Sequence, residues 1–178
     1  MNKRLGCWLF ILCLVVMLYS SSILAAPHQH GKAFMNLVLE RNELIVELQV
    51  TAYDVVGFEK MPVTESDVSA VEKVIELLNK TKEWLNPVGG LCVQKSSVIN
   101  NPFEISEDSQ KNEQLNHADF KVRVSYTCSD SEKLIGFNLR VQEYFRAINE
   151  IELQWIIHDA QGLTIIDRNN HEIRFNYE

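Results

Sequence analysis

Two histidines stand one residue apart in His28-Gln29-His30-Gly31. In an extended segment such residues project to the same side, so both imidazoles can reach one zinc ion at about 2.0–2.1 Å. A loose N-terminus can carry the same pattern, because terminal residues are poorly ordered unless tied down. His117-Ala118-Asp119 repeats the spacing with an imidazole and a carboxylate. Together the two segments offer four donors of types that zinc accepts. The plainer reading makes His117 a loop residue and Asp119 a strand-edge charge. Glu59, which follows Gly57-Phe58 at a predicted bend, either ligates or answers the charge of Lys60. A copper-type site built on a free amine and a third-position histidine fits poorly, because Pro27 has no amide hydrogen to lose to the metal. His158 and His171 read as surface or packing residues, and Trp84 and Trp155 as buried or half-buried aromatics.

The familiar catalytic signatures are missing: there is no Gly-x-Ser-x-Gly elbow, His-Glu-x-x-His pair, P-loop or dinucleotide fingerprint. A non-enzymatic role is therefore expected. The N-terminus reads as a secretory leader. Asn2-Lys3-Arg4 is basic, Trp8 to Tyr19 is an apolar run too short to span a bilayer, and Ser20 to Ala26 is a small-residue exit. Neither Cys7 nor Cys13 sits in a lipoprotein box, and no later stretch has the length and apolarity of a membrane helix. The expectation is a signal peptide over 1–26 and a periplasmic domain over 27–178.

Of 178 residues, 17 are basic and 24 acidic; loss of the leader leaves 15 basic residues and a net charge of −9. That argues against nucleic acid or an anionic membrane as partner, since both attract basic faces. Cys92 and Cys128 remain. An even count in an oxidising compartment favours a disulfide, and the competing zinc-thiolate or catalytic pair lacks any Cys-x-x-Cys.

These side chains need elements to position them. Met35, Leu37 and Leu39 alternate, Arg41-Asn42-Glu43 turns, and Leu44, Val46, Leu48 and Val50 alternate again, which predicts a hairpin. Thr64-Glu65-Ser66-Asp67 starts a helix with Val68, Val71, Ile75 and Leu78 inward, running until Asn86-Pro87. A short strand follows over Leu91 to Ile99, then an exposed loop at about 100–116 bracketed by the cysteines. Three further strands follow from Phe120 to Cys128, from Ile135, Phe137, Leu139 and Val141, and from Ile151 to Ile157. Asp159 to Gly162 is a predicted turn leading into Leu163 to Ile166, and a last strand surrounds Ile173 to Phe175. The sum is an α+β fold, strand-rich and antiparallel, with one principal helix. Leu48 to Glu59 can be laid against Leu139 to Glu150 as a faint internal echo, compatible with two pseudo-symmetric halves.

His28-Gln-His30-Gly31, Ala52-Tyr-Asp-Val-Val-Gly57-Phe58-Glu59, and His117-Ala-Asp119-Phe120 leading to Tyr126-Thr-Cys128 occur in an order that resembles the ZrgA family. The resemblance continues weakly from Leu139 to Trp155. It implies a periplasmic zinc-binding protein, a chaperone or reservoir working beside an ABC-type zinc importer. It would carry over His28, His30 and His117 as ligands, with Asp119 and Glu59 beside them. Two departures stand out. The loop from Glu104 to Asn116 lacks the histidine-rich tract common in that family, and Lys60 replaces a histidine often found after Gly-Phe-Glu. The alternative is an envelope interaction module that keeps the family fold without metal.

Overall fold

The computed structural model describes residues 29–104 and 118–175. The proposed leader, His28 and His117 lie outside the described residues, as does most of the predicted exposed loop.

Nine strands form two sheets among the described residues. They are β1 (Lys32–Glu40), β2 (Glu43–Thr51), β3 (Leu85–Gly89), β4 (Cys92–Asn100), β5 (Asp119–Cys128), β6 (Leu134–Leu139), β7 (Glu150–Ile157), β8 (Ala160–Asp167) and β9 (Glu172–Arg174). The larger sheet runs β4-β5-β2-β1-β7-β8 and the smaller one β3-β6-β9. Helices α1 (Ala52–Val56), α2 (Glu65–Asn79), α3 (Thr81–Trp84) and α4 (Val141–Tyr144) complete the α+β fold. The two echoing segments both run from a strand into a short helix, β2 into α1 and β6 towards α4.

The predicted hairpin forms in register, with Leu39 opposite Leu44 and Met35 opposite Leu48. Its alternating apolar residues are buried, together with Phe120, Val122 and Val124 of β5 and Ile151 and Leu153 of β7. Most pairings are antiparallel, but β1 and β7 pair in parallel, Lys32 beside Glu150 and Leu39 beside Ile157. One end of the large sheet therefore collects the starts of β1, β5 and β7 and the ends of β2 and β4.

Several sequence expectations change. The principal helix stops at Asn79, where Lys80 leaves helical geometry. The remaining predicted helix becomes α3 and then β3, whose residues 85–89 pair with β6. Val68, expected inward, is exposed, and Val74 is buried instead. In β6 it is Leu134 that is buried and Ile135 that is exposed, because Gly136 interrupts the alternation where Ile173 crosses closely. The β7–β8 turn falls at His158-Asp159, with Ile157 opposite Ala160. Gly162 lies inside β8 opposite Trp155, where an added Cβ would come within 2.4 Å of the indole. Phe103, from the loop expected to be exposed, is buried.

Cys92 and Cys128 form a disulfide between directly paired positions of β4 and β5. The two sheets are joined by Tyr126, whose hydroxyl donates to the Leu85 carbonyl, and by Phe175, which packs on Phe137 and Trp155. Burial pushes the Tyr126 phenol up to about 12. No helix among the described residues is long and apolar enough to cross a membrane.

Candidate metal centre

At the gathered end of the sheet, the chain leaves β2 through Thr51 directly into α1. Thr51 caps this helix, its hydroxyl oxygen accepting from the Asp54 amide at 3.3 Å, and the helix ends at Gly57. On one side of α1, the His30 ring lies against the Tyr53 ring with centroids 4.4 Å apart. The next residue, Gly31, donates its amide to the Asp54 carboxylate and accepts at its carbonyl from the amides of Asn149 and Glu150, at 2.7 and 3.0 Å. His30 also borders a shallow groove of about 420 Å³ with Gln29, Lys32, Asn149 and Glu150.

Asp119 lies on the other side. It pairs with Thr51 across β2 and β5, and its carboxylate accepts from the Gln49 side-chain amide at 2.6 Å. One residue earlier, the Ala118 carbonyl accepts from the Ala52 amide at 2.6 Å. The described neighbour of His117 is thereby bonded to the first residue of α1, while His30 packs on its second.

Glu59 is half-buried just beyond α1. The preceding Phe58 packs on Phe103 at 5.7 Å, and Phe103 packs edge-on against Phe120 at 6.0 Å. This aromatic chain ties the backbone next to Glu59 to the backbone next to Asp119. Phe103 was hidden in sequence by its mostly polar surroundings, with Asn100 and Asn101 before it and Glu104 and Ser106 after it.

The electrostatics near His30 include Arg168, which donates to the Asn149 side chain at 2.8 Å, and Lys32, which bridges Glu152 at 2.8 Å and Glu150 at 3.2 Å. Those two hydrogen bonds, Glu152 first, raise the Lys32 ammonium above its ordinary value, and Lys32 in turn is the main cause lowering Glu152. Paired this way, Lys32 repels an incoming cation less than a free lysine would.

Among the described residues, no three His, Cys, Asp or Glu side chains form a group able to hold a metal ion. His30, Asp119 and Glu59 therefore make no closed site by themselves, and His28 and His117 fall outside the described residues. His158 stands at the opposite end of the sheet, its Nε2 3.7 Å from Glu132. Sequence reasoning overlooked Tyr53 and Asp54. The spacing Thr51-x-x-Asp54 is a helix-cap signature and was the available signal.

Fold and site together define a strand-rich α+β protein that brings imidazole- and carboxylate-bearing segments to one end of its main sheet. The ZrgA family of zinc uptake proteins matches residues 27–175, and the chain belongs to that family. Its role accordingly lies in zinc uptake. No curated protein matches the chain.

Proposed function

We propose that the chain is an exported, non-enzymatic zinc-binding accessory protein of the periplasm, a chaperone or reservoir serving an ABC-type importer. His28, His30 and His117 are its principal ligands, with Asp119 and Glu59 available to complete the set. The observation that carries this reading is the double attachment to α1, His30 on Tyr53 and Ala118 on Ala52. Neutral imidazoles with one or two carboxylates are a donor set suited to zinc. Capture is an equilibrium in which the ligands must be deprotonated, so affinity falls on acidification. The absence of a histidine-rich tract restricts binding to a discrete site rather than bulk sequestration.

Zinc titration of the protein lacking residues 1–26 by calorimetry, alongside a His28→Ala/His30→Ala/His117→Ala variant, tests this. The parent is expected to bind and the variant to lose most of the heat. Superimposable isotherms, or none above background in the parent, would reject the reading.

A second reading, a protein-docking module of the envelope, is favoured by the outer sheet face. There Phe34, Val38, Ile156, Leu163 and Ile165 are exposed across β1, β7 and β8. Capture of an importer subunit in the presence of a chelator would support it over zinc binding.

A further inference from the structure

Asp54 belongs to no ligand set considered above, yet it is only 5% exposed. Both of its carboxylate oxygens accept from one backbone amide, that of Gly31, at 2.9 Å to Oδ1 and 2.8 Å to Oδ2. Oδ2 also accepts from the Thr51 hydroxyl at 3.0 Å. A buried carboxylate is costly unless its oxygens are satisfied, and here the donors come from the N-terminal segment and the end of β2. The bond to Gly31 spans 23 residues and grips the chain one residue beyond His30. Two residues before Asp54, the Ala52 amide grips Ala118.

We propose that Asp54 is a positioning residue for zinc capture, a latch that fixes the His30 segment against α1 and so sets its spacing from the start of β5. This inference rests on the zinc reading above. An N-terminal segment that is tied down has lost its freedom before metal arrives, so binding need not order it. Without the latch, His30 keeps its chemistry but loses its place. Partners that orient ligands without touching the metal typically alter affinity by about 10–100-fold when removed.

The substitution Asp54→Asn preserves volume but replaces one acceptor oxygen with a donor NH2. Zinc affinity, measured by competition with a chromogenic chelator, is expected to fall about tenfold or more. Amide exchange at Gly31 in the metal-free protein should quicken, with the far-UV spectrum unchanged. In a His30→Ala background the same substitution should cost nothing further, because the ligand it positions has gone. If Asp54→Asn does not fold, Thr51→Val removes one of the three hydrogen bonds to the carboxylate, together with the cap bond from the Asp54 amide, and should show the same dependence on His30 with a severalfold weaker loss. A parent that takes up no zinc defeats the proposed function. A parent that binds, with Asp54→Asn binding equally well, defeats the latch alone. An equal loss of affinity with and without His30 also defeats it, since Asp54 would then act on the fold at large.

Discussion

Gly31 shows how one residue can carry a site without contributing a ligand. Its φ is +80°, its amide and carbonyl are both engaged, and an added Cβ would lie 2.6 Å from the Asn149 side-chain nitrogen. Gly31→Ala therefore combines backbone strain with a collision, at a cost of about 1–3 kcal/mol. Thermal unfolding of the metal-free protein should show that loss, and calorimetry should show weaker zinc binding, because the strain falls on the tether beside His30. An alanine variant with unaltered melting and affinity would contradict this. At this scale the sequence offered candidate donors and was silent about their supports. Histidine and aspartate at alternating spacing suggest coordination chemistry, and the structure places His30 against Tyr53 and Asp119 opposite Thr51 without joining them in a closed site. Asp54 looked like one acid among 24 because a latch is defined by long-range hydrogen bonds that no local pattern encodes.

At the scale of elements, amphipathic periodicity was a good guide to strands and a poorer guide to where they end. β1, β2, β5 and β7 have one buried face each, so alternation reports them directly. The principal helix was overextended because helical spacing continues past Lys80, whereas residues 85–89 are claimed by pairing with β6. Its start was legible. Thr64 and Asp67 form a reciprocal capping box, Thr64 Oγ1 accepting from the Asp67 amide and Asp67 accepting from the Thr64 amide, both at 3.1 Å. Backbone hydrogen bonds from Thr64, then Val63, hold the Asp67 carboxyl below its ordinary 3.8. With the folded value the lower of the two, the unfolded chain takes up the proton first. The cap's contribution is thus complete above that ordinary value and is lost as pH falls through the lower folded one. Asp67→Ala should lower the melting temperature at neutral pH, and the gap from the parent should close as the solution is acidified below 3.8. A gap constant across that range would show that charge has no part in the cap.

The whole molecule has two poles. The described candidate ligands His30 and Asp119 lie at the end of the sheet where β5 begins, while the disulfide sits where β5 ends, at Cys128. Nine residue steps of strand separate these points by roughly 30 Å. The antiparallel pairings of β1 with β2 and of β2 with β5 create this polarity by setting the starts of β1 and β5 at one end, and the parallel pairing of β7 with β1 adds the start of β7 there. Nothing local in the sequence specifies that pairing, since alternation says which face of a strand is buried but not which strand lies next to it. The separation makes the contribution of the disulfide to stability and to zinc binding separately measurable. A bridge spanning 36 residues stabilises mainly by restricting the unfolded chain, worth about 4 kcal/mol on the chain-entropy argument. Cys92→Ala/Cys128→Ala should therefore lower the unfolding free energy by roughly that amount. It should leave the zinc affinity of the folded protein unchanged, because a constraint on the unfolded state and a distant staple do not alter the native site. Chemical denaturation and chelator competition on the same preparation read both quantities. A folded double variant that had lost tenfold in zinc affinity would instead make the cysteines ligands and overturn the division between a stapled pole and a binding pole.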